Sequence, residues 1–99
     1  MVGRKIIWTK RANKNFDKTL EYLENEFGSN VTKAFVLKTF KTLDILSEFP
    51  KIGTIEDKIK GVRGFVLSRH HTLFYRFTDD EIIILNLFSN KQNPKKEKY

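Results

Sequence analysis

The chain has 99 residues, no cysteine and a formal net charge of +7 at pH 7. This length suits one domain with a thin hydrophobic core, and the absence of cysteine excludes a disulfide scaffold or a thiolate metal site. No apolar run approaches the roughly 20 residues that span a bilayer, and no apolar signal core follows the basic N-terminus. The sequence therefore predicts a single cytoplasmic domain over residues 1–99 with no membrane partner.

The positive charge is unevenly distributed along the chain. Residues 1–57 contain ten lysines and arginines against eight acidic residues, a net charge of +2, whereas residues 58–99 contain nine against four, a net charge of +5. Such a field favours a polyanion or an acidic protein as partner. A charge that serves solubility alone is the equally open alternative.

The first half of the chain predicts a strand followed by two helices. Lys5-Ile6-Ile7-Trp8 is a short β-type run, and Thr9 is a suitable N-cap for a helix. Gly28 predicts a break between the helices and Pro50 the end of the second, so we expect an antiparallel helical hairpin. One apolar stripe at helical spacing contains Ala12, Phe16, Leu20, Leu23 and Phe27, and a second contains Val36, Phe40, Leu43 and Leu46.

The second half predicts a loop and then a sheet. Residues 51–61 combine two glycines with mixed charge, which is typical of a loop. Three strand-like runs follow over Val62–Arg69, Thr72–Thr78 and Ile82–Phe88, and their short connections allow only an antiparallel meander. Residues 89–99 predict a basic C-terminal tail. The expected fold class is α+β in the order β-α-α-β-β-β, with the helical hairpin packed on one face of a small, mostly antiparallel sheet.

The turns between the strands predict which side chains share a face. A two-residue turn at 70–71 would pair Phe65 with Arg76, and a three-residue loop at 79–81 would pair Tyr75 with Leu85. This register directs apolar side chains toward the helices, where Phe40 and Tyr75 are expected in the core. The open face suits phosphate contact and base stacking. The alternative is a partly covered sheet face, along which the arginine side chains extend only to place their charged ends in solvent. Its members would be Arg63, Phe65, Leu67, Arg69, Thr72, Phe74 and Arg76.

The adjacent histidines do not form a metal site. His70 and His71 would point in different directions in an extended chain, and the sequence has no further histidine and no cysteine. No convincing Ser–His–Asp set exists either. We therefore predict no metal and no cofactor. The histidines are interpreted as turn residues, with proton transfer or phosphate binding as the less favoured alternative.

Six short motifs occur in order along residues 5–96. They are Ile7-Trp8-Thr9 with Ala12, Phe27-Gly28, Leu46 with Pro50 and Gly53, Gly61-Val62-Arg63, His71-Thr72-Leu73-Phe74-Tyr75-Arg76, and Ser89-Asn90-Lys91-Gln92-Asn93-Pro94. No single motif is specific, but the ordered set resembles the RelE/ParE family of type II toxin–antitoxin toxins, also described as plasmid stabilisation system proteins. The long helical hairpin resembles the ParE-like subgroup.

The resemblance implies a toxin that inhibits growth until a cognate antitoxin wraps a helical or extended segment over it. RelE-like members cleave mRNA in the ribosomal A site, whereas ParE-like members inhibit DNA gyrase and cleave no RNA. The ribosome with its mRNA and DNA gyrase therefore both stay open as targets, and so does the question of whether the chain is an enzyme. A nucleic-acid-binding domain without toxicity is a third, less favoured alternative.

The expected site residues come from the open face and the tail. If RNA is cleaved, we expect the catalytic residues to be Arg63, Arg76, His71 and Lys91. The residues expected to contact nucleic acid or another target are Arg69, Phe65, Phe74, Lys95 and Lys96. The resemblance is incomplete, because Thr72 stands where RelE-like members carry an arginine. Glu56 resembles the general-base glutamate of one RelE-like branch, although a solvated loop acid is the plainer interpretation.

Overall fold

Two helices cover one face of a five-stranded sheet in the computed structural model, which describes residues 3–90 and 98–99. The elements are β1 (Lys5–Trp8), α1 (Lys10–Phe27), α2 (Ser29–Glu48), a 3-10 turn (Pro50–Ile52), β2 (Thr54–Asp57), β3 (Val62–Ser68), β4 (His71–Phe77) and β5 (Glu81–Ser89). The strand order is β1-β5-β4-β3-β2, with β1 parallel to β5 and the other neighbours antiparallel. The predicted α+β fold is confirmed, and β2 lies where the sequence predicts a loop.

Local hydrogen bonds determine where the helices begin and end. The Thr9 hydroxyl accepts from the Ala12 N–H at 3.1 Å and donates to the Ile84 carbonyl at 2.9 Å, so the N-cap of α1 is also tied to β5. Gly28, with φ of +86°, separates the helices as predicted, in a conformation that favours glycine. Within residues 3–90 and 98–99, no helix combines the length and apolar content needed to cross a membrane.

The inward face of α2 agrees with the predicted stripe at Leu43 and Leu46, which are buried, but lies one position away from it in the first half of the helix. Phe35 and Thr39 are buried, whereas Phe40 is 49% exposed and meets the Phe16 ring edge-on at 6.3 Å between centroids. The Thr39 hydroxyl donates to the Phe35 carbonyl at 2.8 Å. The hydrogen bond satisfies the hydroxyl, which allows this polar side chain to be buried. The expectation that Phe40 lies in the core is therefore wrong.

The pairing of β3 with β4 is shifted by three residues from the predicted register. Arg63 opposes Tyr75 and Phe65 opposes Leu73, with a bulge near the turn. An odd shift moves every side chain of β3 to the other face of the sheet. Leu67 gives the physical reason, because it is fully buried in the core beneath the helices, whereas the predicted register places it on the open face.

A second bulge changes which residues of β5 enter the core. It lies at Leu85, so that Tyr75 opposes Ile84 rather than Leu85. Ile82 and Ile84 are fully buried as a result, while Ile83 and Leu85 are only partly buried. The extra residue thus reverses the inward and outward positions along the first half of the strand.

Tyr75 joins the sheet to the connection that follows α2. Its hydroxyl donates to the Pro50 carbonyl at 2.6 Å and accepts from the Gly53 N–H at 3.0 Å. Burial raises the pKa of this hydroxyl, so it stays protonated and available as a donor. A Cβ at position 53 would collide with the Tyr75 hydroxyl, which explains why a glycine stands there.

Replacing Tyr75 with Phe should lower the free energy of unfolding by about 1–3 kcal/mol, because the Pro50 carbonyl and the Gly53 N–H would stay buried without a partner. Urea unfolding followed by circular dichroism measures the change. Tyr99→Phe is the control, since the Tyr99 hydroxyl makes no hydrogen bond with residues 3–90, and it should shift stability by less than about 0.5 kcal/mol. Unchanged stability in Tyr75→Phe would contradict the role given to the hydroxyl.

Candidate functional site

The sheet face that points away from the helices, here called the outer face, carries a small apolar cluster of its own. Val62, Phe74 and Phe88 are buried there, and Leu85 and Tyr99 pack against them. The Phe74 ring lies 6.3 Å from the Phe88 ring and 5.3 Å from the Tyr99 ring, measured between centroids. The central rings of the outer face are therefore packed against one another rather than open to a ligand.

Asn86 holds the end of the described chain against the outer face. Its side-chain N–H donates to the Lys98 carbonyl at 2.8 Å, and its side-chain carbonyl accepts from the Asn15 amide of α1 at 2.6 Å. Asn86 is 1% exposed, so both ends of its amide need these partners. The Lys98 ammonium lies 5.8 Å from the centre of the Phe88 ring. Asn86 is not among the predicted site residues, although a polar residue inside an apolar strand is a signal for such a role.

The two arginines expected to act together lie on opposite faces of the sheet. Arg63 opposes Tyr75 on the helix side, and its guanidinium donates to the Lys51 and Gly53 carbonyls at 3.0 and 2.9 Å. Arg76 is exposed on the outer face. The prediction that Arg63 and Arg76 are neighbours on one open face is therefore wrong, because β3 pairs with β4 in the shifted register.

Three other predicted site residues are buried or partly buried. His71 is 7% exposed, its Nδ1 is hydrogen-bonded to the Ser68 hydroxyl at 2.9 Å, and its ring centre is 5.1 Å from that of Phe35. Phe65 packs against the core on the helix side, so its predicted place on the open face is wrong. Phe74 lies on the outer face as predicted but is buried. The packing around His71 and Phe74 would have to change before these two side chains could touch a ligand.

The remaining predicted site residues are at the surface or outside the described chain. Arg69 lies in the turn between β3 and β4 with an exposed side chain, and its carbonyl accepts from the Asn90 side chain at 3.2 Å. Lys91, Lys95 and Lys96 lie outside the described residues, so their roles stay predictions. Arg69 and Arg76 are therefore the exposed cations that the predicted site retains among the described residues.

Glu56 lies on the outer face because β2 brings it beside Gly64. A Cβ at Gly64 would stand 2.9 Å from a carboxylate oxygen of Glu56 and 3.2 Å from the Phe74 ring, so glycine leaves room for the carboxylate. Glu56 is exposed and belongs to a strand rather than to a loop. Across residues 3–90 and 98–99, no group of three or more acidic or histidine side chains is arranged to hold a metal ion.

Comparison with known protein families gives one match that extends along most of the sequence. Residues 6–94 match the family described as the ParE toxin of type II toxin–antitoxin system, parDE. The chain belongs to the ParE toxin family. This finding agrees with the resemblance that the sequence motifs indicate, whereas curated protein sequences contain no match to the chain.

Solved structures share the fold of this ParE-family toxin. A chain of the chromosomal ParDE system from P. aeruginosa has a TM-score of 0.70 at 20% identity, covering 87% of this chain and 95% of that chain. HP0894 from Helicobacter pylori has a TM-score of 0.59 at 27% identity, covering 90% and 97%. The RelBE2 complex from Mycobacterium tuberculosis gives 0.59 at 18% identity, covering 89% and 99%. Because ParDE and RelBE chains both share it, the fold does not separate the two activities.

Removing the guanidinium of Arg63 should destabilise the toxin, whereas removing that of Arg76 should not. Arg63→Ala takes the donor from the Lys51 and Gly53 carbonyls and should lower the free energy of unfolding by about 1–2 kcal/mol. Arg76→Ala alters an exposed side chain and should change it by less than about 0.5 kcal/mol, which makes it the matched control. Equal effects in urea unfolding would contradict the placement of the two arginines.

Proposed function

We propose that this ParE-family toxin inhibits growth in the cytoplasm by binding a protein target, and that it does not cleave RNA. DNA gyrase is the proposed target, because gyrase inhibition is the activity that the ParE side of the family implies. The observation that carries the proposal is the position of two predicted catalytic residues. His71 and Arg63 are both engaged in hydrogen bonds that belong to the fold.

RNA cleavage through the ribose 2′-oxygen needs groups that move a proton and groups that neutralise charge on the phosphate. His71 is buried against the Phe35 ring, and Arg63 bonds two backbone carbonyls on the helix side of the sheet. Arg76 is exposed on the outer face, but a guanidinium is always charged and supplies no proton transfer. We infer that the outer face binds its target rather than cleaving it.

The outer face has the composition of a protein-binding surface. Val66 is 66% exposed and stands with Arg69 near the β3–β4 turn, while Arg76 lies toward the other end of β4. The packed rings of Phe74 and Phe88 lie between these ends. Apolar centres with a polar rim, and arginine as a frequent anchor, are typical of protein interfaces. Arg69 and Arg76 are therefore the residues that we propose contact the target.

We further propose that a cognate antitoxin docks in a groove near the junction of α1 and α2. The groove has a volume of about 390 Å³ and is lined by Glu24, Ser29, Thr32, Lys33, Val36 and Leu37. Leu37 is 71% exposed, and an apolar side chain beside a groove is a suitable contact for an apolar residue of a helix or strand. Relatives solved as toxin–antitoxin complexes, RelBE2 from Mycobacterium tuberculosis and DinJ–YafQ from E. coli, support such a partner.

A ribosome-dependent RNA endonuclease is the alternative function, and Glu56 is the observation that favours it. Its carboxylate lies beside Gly64 and Phe74 on the outer face, which is also the face of Arg76. A carboxylate there can act as the general base that one RelE-like branch of the family implies. For Phe74 to stack on a base, however, the Tyr99 ring would have to leave it.

The choice between these functions is tested by measuring DNA and protein synthesis immediately after the toxin is induced alone in bacteria. A gyrase inhibitor should stop thymidine incorporation first and should block supercoiling by purified gyrase, while mRNA on purified ribosomes stays intact. Early loss of amino-acid incorporation together with mRNA cleavage would establish the endonuclease instead. Normal growth of cells that contain folded toxin at good yield would exclude both gyrase inhibition and RNA cleavage.

Variants of the outer face test the same proposal at the level of residues. Arg69→Ala combined with Arg76→Ala should weaken gyrase inhibition by at least about tenfold, as loss of interface arginines does. Glu56→Gln should leave inhibition within about twofold of the wild type. Lys38→Ala combined with Lys41→Ala, on α2, is the control matched in charge. Toxicity that depends on Glu56 but not on the two arginines would favour the endonuclease.

The antitoxin groove is tested with the small protein that the neighbouring reading frame encodes. Leu37→Asp should weaken its binding by at least about 30-fold in calorimetric titration, the effect of losing a central apolar anchor, and should leave toxicity intact. Ile59→Asp is the control, because Ile59 is 98% exposed and does not line the groove, and its affinity should stay within about twofold. Full affinity in Leu37→Asp would show that the antitoxin binds elsewhere.

A further inference from the structure

Helix α1 carries three lysines on the side opposite to its buried residues. Lys10, Lys14 and Lys18 follow one another at intervals of four residues, and all three are exposed. Each four-residue step advances one full turn and about 40° more, so the three side chains share one arc of the helix. We call these residues the lysine strip. The side of α1 that packs on the protein contains Ala12, Phe16, Thr19 and Leu23.

The charge around the lysine strip is more concentrated than the net charge of the N-terminal half indicates. Residues 1–20 contain six lysines and arginines against one acidic residue, a net charge of +5, whereas residues 21–57 contain four against seven, a net charge of −3. The side chains of Lys10, Lys14 and Lys18 make no hydrogen bond or ion pair with residues 3–90 and 98–99. The described part of the chain therefore leaves these charges available to a partner.

The position of Lys10, the first residue of the strip, opposes the local electrostatics of the helix. Lys10 is the first residue of α1, and the first turn contains no acidic residue. The N-terminus of a helix carries a partial positive charge, so a cation there is unfavourable and an acidic residue is preferred. A cation placed against this preference is expected where a bound anion compensates the repulsion.

We propose that the lysine strip binds the phosphate backbone of a nucleic acid without reading its sequence. Successive lysines are separated by about 6 Å along the helix, a distance comparable to the separation of neighbouring phosphates on one strand. The ammonium group is a point charge that accepts phosphate in many orientations. Protein interfaces are depleted in lysine and depend on apolar or aromatic anchors, which the strip does not contain. A phosphate backbone therefore fits the strip better than an acidic protein surface does.

The end of the described chain is linked to α1 through Asn86 and adds one more lysine, Lys98, on the outer face. Asn15, which follows Lys14 on α1, donates to Asn86, and Asn86 donates to the Lys98 carbonyl. Lys98 thereby lies between α1 and the ring of Phe88 on the outer face. This inference goes beyond the proposed function and does not need gyrase to be the target.

The test compares two variants that have the same net charge. In Lys10→Gln with Lys14→Gln and Lys18→Gln, the strip is removed. In Lys38→Gln with Lys41→Gln and Lys58→Gln, three exposed lysines outside the strip are removed instead. Binding is measured by fluorescence anisotropy over a range of salt concentrations. The probes are a labelled DNA duplex of arbitrary sequence, a labelled single-stranded RNA and a labelled polyglutamate peptide.

The strip variant should bind duplex DNA at least about tenfold more weakly. The slope of log affinity against log salt concentration should fall by about 3, because each lost phosphate contact removes about 0.9 from it. The control variant should stay within about twofold in affinity and within about one in slope. Strip-dependent binding of DNA, RNA or both supports the proposal. The nucleic acid that binds with the higher affinity identifies the source of the phosphates.

Three results would overturn the proposal. Equal losses in the two variants would mean that only net charge matters, and unchanged binding in the strip variant would place the contact elsewhere. Strip-dependent binding of polyglutamate as tight as that of DNA would point to an acidic protein instead. Circular dichroism and thermal unfolding check the fold, and the strip variant should not melt earlier, because it loses a cation from the helix N-terminus. Gyrase inhibition is measured separately, so failure there leaves this result unaffected.

Discussion

The connection after α2 depends on donors that come from two neighbouring strands. The chain leaves the helix at Pro50 and must enter the sheet within a few residues, in a segment whose carbonyls have few ladder partners. Tyr75 on β4 and Arg63 on β3 supply the missing donors, and Gly53 admits the tyrosine hydroxyl. In a domain of this size, with a thin core, these bonds fix how the helical layer sits on the sheet. The Arg63 guanidinium therefore stabilises the fold, and it would have to leave these carbonyls to bind a ligand.

Two bulges then decide the chemistry of each face of the sheet. The bulge near the β3–β4 turn allows Leu67 to face the helices, and the same shift carries Arg63 and Phe65 to the helix side. The bulge at Leu85 turns Ile84 inward beside Tyr75. The outer face consequently keeps Arg76 but not Arg63. Adjacent residues of a strand point in opposite directions. The packing of leucines and isoleucines on the helix side therefore determines which cations lie on the outer face.

Features that depend on local sequence could be predicted, and features that depend on long-range pairing could not. The Thr9 cap and the break at Gly28 are local signals, and both helices were predicted from them and from apolar spacing. Strand β2 contains one apolar residue, Ile55, so nothing in its pattern marks a strand. Of the site, the outer-face positions of Phe74 and Arg76 were predicted correctly. The Asn15–Asn86 bond joins residues 71 positions apart and leaves no trace in local patterns.

In the two proposals, long-range electrostatic attraction and recognition of the target belong to different surfaces of the molecule. The outer-face rings are already packed on one another and on Tyr99, so a partner there gains contacts mainly from the rim that contains Arg69 and Arg76. The lysine strip lies on α1 and acts through charge, which raises the rate of encounter and weakens with salt. Contacts that form once the partner has docked chiefly slow dissociation instead, because most affinity differences between related complexes reside in the off-rate. Under the two proposals, such a small toxin would accumulate on a nucleic acid through α1 while the rim of the outer face selects the protein that it inhibits.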